Sequence, residues 1–286
     1  MTEKQVVFRV EDDMNREDIH CTTYQMRNFY AQFRDGFFSH LDVMNYIQHH
    51  KIAKWAKAHD QVLDICCGRG LLLPLLRYHR KSIDGYTGVD IAPNNAKFME
   101  KRVTDGKPLV DLVKEDEKYY PFPVQFVESD VAKMSEVLPA DHFTFLVFTS
   151  SIEHMHKDAG QQALHEARKV AKQGARMILT CPNTPEDKDG YDTRYRAHVY
   201  EWKRSELNAG LEEAGWKIMS EWGLTIGYKE VMECIDQIDP SFSHQDIIKS
   251  MIETFDQFIP REWWLPMVAT LFPSKSSEIG FIAEAV

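Results

Sequence analysis

Short apolar runs alternate with amphipathic stretches from about residue 60 onward. The pattern predicts strands near 61–66, 84–90, 123–128, 143–149, 175–181, 216–222 and 278–285. It predicts helices near 70–80, 93–104, 132–138, 158–172, 201–214 and 244–258. Such alternation implies an α/β chain with a mostly parallel sheet and helices on both faces. Connections between its parallel strands are expected to be right-handed. Before the first strand, residues 15–36 read as one helical segment ended by Gly36. Residues 37–60 read as another, with Phe37, Leu41, Met44 and Ile52 among its apolar positions. Residues 107–124 form a charged, proline-bounded insertion before the third strand. A longer insertion, about 228–275, carries Trp263, Trp264 and Met267. It reads as a helical cap on the sheet edge, with an apolar ligand pocket or a homodimer interface as alternatives.

The chemistry concentrates at the first two strand ends. VLDICCGRG, residues 62–70, is an apolar strand with a carboxylate, followed by a tight turn rich in cysteine and glycine. The next strand ends in Gly88-Val89-Asp90. Glycine lets backbone approach a ligand closely, and an acidic residue at the following strand tip is placed to bind a ribose diol. A dinucleotide fingerprint needs a third glycine, but Leu73 stands there. A phosphate loop needs Lys-Ser or Lys-Thr after the turn, and neither follows. What remains is a nucleoside without a diphosphate, carrying an amino-acid-like arm.

With YTGVDIAP at 86–93, VQFVESDVAKM at 124–134, FTFLVFTSSIEHM at 143–155 and KQGARMILTCPN at 172–183, five segments in order are on the page. From about residue 60 the chain resembles the class I S-adenosylmethionine-dependent methyltransferases of the type 11-like kind. The resemblance implies a Rossmann-like fold: a seven-stranded, mostly parallel sheet whose last strand, GFIAEAV, is reversed. It implies one domain over 1–286, divided into an N-terminal helical extension, 1–60, and a core, 61–286. It implies S-adenosylmethionine as cofactor, held by Asp64, Cys66, Cys67, Gly68 and Gly70, by Asp90 and Ile91, by Asp130 and Val131, and by Ser150. Cys66 stands where the family's first glycine is usual; cysteine is small but lacks glycine's backbone freedom. N-terminal helices of such enzymes often cover the cofactor, which makes Tyr24, Phe29, Tyr30 and Phe33 lid candidates. The alternative is a helix packed on the sheet through those aromatics.

Composition narrows the function. The formal net charge of −10 disfavours unspecific nucleic-acid binding, although Lys97, Lys101, Arg102, Arg194 and Arg196 are candidates for local basic patches. The first residues lack an apolar stretch of secretory length, and no run approaches a membrane span. Five cysteines without a regular framework suit a reducing cytoplasm. No CxxC pair occurs, so no metal site is expected.

Transfer of a sulfonium methyl is mainly a matter of proximity and orientation. A general base is needed only for an acceptor protonated at neutral pH. Glu153 and His154, directly after the fourth strand, are candidates for such a base or for orienting an acceptor; a backbone-satisfying role at a helix start is the alternative. The polar, aromatic-bearing stretch 183–198 contributes His198 as a further catalytic candidate and Tyr191 and Tyr195 as acceptor-pocket candidates, beside Tyr24 and Tyr30. TSSI after strand four does not resemble the N-P-P-Y of amino-methylating DNA enzymes, and Cys181-Pro182 follows strand five, not four. Arg27-Asn28-Phe29 faintly resembles a helix of cap guanine-N7 enzymes. The expectation is therefore a methyltransferase acting on O, N or C of a small molecule. An RNA (cap-like) or protein methyltransferase, or a non-catalytic cofactor-binding regulator, is the alternative.

Overall fold

The computed structural model describes residues 40–68, 70–79, 82–91, 122–237 and 245–286. Tyr24, Phe29, Tyr30 and Phe33, the predicted helix 93–104 and the insertion 107–121 lie outside these residues. Seven strands form one sheet: β1 (Gln61–Ile65), β2 (Gly85–Asp90), β3 (Val124–Glu128), β4 (Phe143–Thr149), β5 (Ala171–Pro182), β6 (Trp216–Thr225) and β7 (Glu278–Ala285). Their order is β3-β2-β1-β4-β5-β7-β6. The first five pair in parallel, and β7 runs antiparallel to both β5 and β6. The expected reversed strand is present, lodged between its two neighbours.

Side chains alternate along the central strands and feed two cores. Leu63 and Ile65 of β1, with Leu146 and Phe148 of β4, enter one cluster. That cluster is completed by α3 (Lys157–Val170) and α4 (Arg204–Glu213), through Leu164, Ala167, Leu207 and Leu211. Val62, Phe145 and Val147 point to the other face, where Ile52 and Ala53 of α1 (His40–Trp55) and Leu72 and Leu76 of α2 (Leu72–Tyr78) cover them. Strands buried on both faces need not alternate apolar with polar, which is why β4 reads FTFLVFT.

The 228–275 insertion forms α5 (Tyr228–Asp236), α6 (Gln245–Phe258) and α7 (Arg261–Ala269). It has its own cluster of Ile226, Val231, Ile235, Ile252, Trp264 and Leu265. Trp264 is buried, in keeping with a cap, whereas Met267 is exposed. Two predicted helices changed character. The 132–138 segment is a 3-10 helix, Val131–Glu136, and 201–214 shortens to Arg204–Glu213 because Lys203 bridges Thr184. β5 begins at Ala171 rather than near 175, since Ala171 pairs with Phe143 across an irregularity in the β4 register.

Candidate functional site

The parallel strands β1 to β5 all end at one edge of the sheet, and Cys66, Cys67 and Gly68, Asp90, Asp130 and Ser150 stand at or just after the ends of β1, β2, β3 and β4 there. Cys66, directly after β1, has φ 56°, and Gly68 and Gly70 follow at 53° and 68°. A left-handed residue bearing a Cβ costs roughly 1–2 kcal/mol, so the cysteine takes a glycine's conformation without a glycine's freedom. The Cys67 N–H donates to the Val89 carbonyl over 3.0 Å, and the Gly68 N–H donates to Asp90 Oδ2 over 2.9 Å. The turn is thereby laced to the tip of β2. Gly88 makes this possible: a Cβ there would sit 2.7 Å from Cys67 Sγ and 2.9 Å from the Phe126 ring.

Asp64 is buried beneath the turn and accepts the Tyr86 hydroxyl over 2.6 Å. Burial pushes its carboxyl up to about 7; the Tyr86 bond opposes this and the Asp90 charge adds to it. Burial, and then the neighbouring carboxylates, also push both the Cys66 and Cys67 thiols up. Neither thiol has the thiolate character a nucleophile needs. Ile91 is 62% exposed just past Asp90. Asp130 caps the 3-10 helix by accepting the Ala132 N–H over 3.0 Å, and Val131 packs beneath it.

Ser150 has φ 45° at the end of β4. Its N–H donates to the Thr180 carbonyl over 2.9 Å, and its hydroxyl receives a 3.4 Å bond from Gln48 Nε2. Thr180 Oγ1 donates to Gln48 Oε1 over 3.0 Å, and Gln48 donates to Asn45 Oδ1 over 2.9 Å. Asn45, Gln48 and His49 are all buried. Burial also holds the His49 imidazole below its ordinary pKa, opposed by its bond to the Asn45 carbonyl. Sequence reasoning did not single out these three. Their i, i+3, i+4 spacing on one helix face was the available signal.

The stretch after β5 folds back onto the 3-10 turn Ile152–His154. The Val199 and Tyr200 N–H groups both donate to the Glu153 carbonyl, over 2.7 and 3.1 Å. His154 Nδ1 lies 3.0 Å from the Ala197 carbonyl. The His154 and His198 rings meet edge to face at 5.1 Å, and Tyr195 lies 5.1 Å from His198. His198 Nδ1 bonds to Glu201 Oε1 over 2.6 Å. Glu201 in turn accepts the Arg194 N–H over 2.9 Å. The structure thus brings Glu153, His154, His198 and Tyr195 together, whereas Tyr191 is exposed with its ring against Tyr200.

Charge is dense here. Burial pushes the Glu153 carboxyl well above its ordinary value; a bond from its own backbone N–H opposes this, and Glu278 and Glu201 add to the rise. Burial pushes Glu278 up to about 7 against the pull of Arg194. Burial also works on Glu201, yet its bonds to His198 and Arg194 hold that carboxyl low. Neither Glu201 nor Glu278 stood out in the sequence, because each acts through neighbours set by the fold.

A family model described as "Methyltransferase domain" matches residues 44–221. No curated protein matches the chain. Among solved structures, the fold is similar to a SAM dependent methyltransferase from Archaeoglobus fulgidus, at 19% identity, over 90% of this chain and 99% of that one, with a TM-score of 0.52. It is similar to geranyl diphosphate C-methyltransferase from Streptomyces coelicolor A3(2), solved with Mg2+, geranyl diphosphate and S-adenosyl-L-homocysteine, at 15% identity, over 85% and 81%, with a TM-score of 0.53. It is also similar to the [4+2]-cyclase SpnF, at 15% identity, over 84% and 80%, with a TM-score of 0.53.

Proposed function

The chain belongs to the methyltransferase domain family, and we propose that it uses S-adenosylmethionine to methylate a nucleophilic O, N or C of a small-molecule acceptor in the cytoplasm. The observation that carries this reading is the Gly68–Asp90 bond. It holds a turn of left-handed residues against a carboxylate at the next strand tip, the pair a nucleoside with an amino-acid arm requires. The residues present fit that cofactor. Asp90 would hold the ribose, exposed Ile91 would offer an apolar face to the adenine, Asp130 would meet the adenine amino group and Val131 its ring. Cys66, Cys67, Gly68 and Gly70, with Ser150, would receive the amino-acid arm.

The bound cofactor supplies a methyl group already activated on a sulfonium. The protein's share is to align the acceptor, exclude water and, where the acceptor needs it, hold a proton. His154 and His198 are the groups suited to the proton. Glu201 positions His198, and Tyr195 lines the same corner. A net charge of −10 favours a small acceptor over RNA. Among the described residues no helix is long and apolar enough to cross a membrane.

A second reading has a specific observation behind it: one similar structure is that of a [4+2]-cyclase, so the scaffold alone does not prescribe methyl transfer. Calorimetry with S-adenosyl-L-homocysteine tests the pocket first. A labelled-methyl screen across metabolites, RNA and protein then tests the reaction. Binding without transfer to any of these favours the regulator or cyclase reading, and the absence of binding removes the proposal.

A further inference from the structure

Glu153, His154 and His198 each offer one donor atom, and the three atoms lie within 4.8 Å of one another. Such atoms sit about 3.4 Å apart around a tetrahedral ion with ~2.1 Å bonds. Closing the gap takes side-chain adjustments on the order of 1 Å.

The hydrogen bonds around these residues suit metal binding. His198 Nδ1 is bound by the Glu201 carboxylate at 2.6 Å, and Glu201 is itself fixed by Arg194. With the proton held on Nδ1, the basic nitrogen of His198 is Nε2. His154 Nδ1 faces the Ala197 carbonyl at 3.0 Å, which makes Nε2 its basic nitrogen too. Metal-binding histidines are held in this way, one nitrogen on a carboxylate or carbonyl and the other on the ion. An independent observation comes from Glu153. The residue is 2% exposed, and its Oε2 is buried without a hydrogen-bond partner. A buried polar atom left unmatched is costly, and a cation at the junction with the histidines would satisfy it.

We propose that Glu153, His154 and His198 form a divalent transition-metal site, contrary to the expectation drawn from the missing CxxC pair. Two imidazoles and one carboxylate suit Zn2+, Mn2+ or Fe2+ better than Mg2+. Three protein ligands leave positions open for water or an acceptor oxygen, and with both Nε2 lone pairs on the ion a metal-bound hydroxide, in place of the imidazoles, would take an acceptor's proton. The turn bearing Glu153 follows β4 directly, just as the glycine turn follows the neighbouring strand β1. The site therefore adjoins the proposed cofactor pocket, yet the proposal does not depend on methyl transfer.

The test reads ion binding directly. Tag-free protein is stripped with a chelator and titrated with Zn2+ by calorimetry and with Co2+ by visible absorption. One ion per chain is expected, with d–d bands and no thiolate charge-transfer band from Cys66 or Cys181. His198→Ala and Glu153→Gln should each weaken binding about a hundredfold, and Glu201→Gln about 10- to 100-fold through loss of the orienting bond. His165→Ala, away from the cluster, should leave binding unchanged. Melting curves and S-adenosyl-L-homocysteine binding check that each variant is folded. If His198→Ala melts early, Glu201→Gln and the wild-type Co2+ spectrum still decide. No saturable uptake by the folded wild type, a thiolate band, or uptake unchanged in Glu201→Gln and the folded ligand variants would overturn the proposal.

Discussion

The Gly68 amide and the Asp90 carboxylate are hydrogen-bonded over 2.9 Å, joining the turn after β1 to the tip of β2. One acidic side chain thus shapes the turn, and in the proposed function it also holds the ribose. Asp90→Ala should lose both roles, lowering S-adenosyl-L-homocysteine affinity by about a hundredfold or more; a bond to a charged group contributes roughly 1.5–3 kcal/mol, and the ribose contact adds to it. Asp90→Asn should fall between the two. Calorimetry on folded variants checks the order, and unchanged affinity in Asp90→Ala would place the pocket elsewhere.

The left-handed Cys66 gives a graded prediction. Cys66→Gly should leave stability within about 1 kcal/mol, since relief at positive φ offsets glycine's larger unfolded entropy. Cys66→Val should destabilise by roughly 2–3 kcal/mol, because a β-branched residue is strongly disfavoured there. Chemical denaturation of the three proteins measures the series.

Gly88→Ala introduces a Cβ 2.7 Å from Cys67 Sγ and 2.9 Å from the Phe126 ring. Overpacking of this kind costs about 1–3 kcal/mol. Displacement of the Cys67 turn should also weaken cofactor binding. A variant with wild-type melting and wild-type affinity would contradict the packing described.

Asp64 sets a pH dependence. Its carboxyl, buried under the turn, titrates near 7 in the folded chain against 3.8 as its ordinary value. Between these values the folded state keeps a proton that the unfolded state releases. The stabilising contribution is whole below about pH 4 and is lost as pH rises through 7, amounting to at most roughly 4 kcal/mol. Glu278 titrates near 7 as well and shares the upper part of this window. Asp64→Asn should flatten the fall in stability between pH 4 and 7 but not abolish it. Denaturation midpoints across that range read the slope.

The described strands were legible where they carry a short apolar run between turn residues, alternating or unbroken; the polar start of β5, before residue 175, carries no such run and was missed. The pairing of Asp90 with the glycine turn was legible for a different reason: small residues and an acid stand at fixed offsets along the chain, and the fold bonds the Gly68 amide to Asp90. The 3-10 character of Val131–Glu136 was not, since six residues cannot separate one helical period from another. Gln48 was also missed. Its partners Ser150 and Thr180 lie 102 and 132 residues away, and only the sheet brings them within reach. Glu201 escaped likewise, as its weight comes from His198 and Arg194 in a loop whose course no periodicity records.

The position of β7 between β5 and β6 has a consequence for assembly. β6 leaves the ribosome before the strand that must separate it from β5, with α5, α6 and α7 made in the interval. Until β7 slots in, both flanking strands offer bare edges on which a neighbouring polypeptide could dock. The sheet is completed like a drawer pushed home. A chaperone that delays strangers until that insertion would protect this chain more than one that hastens its collapse.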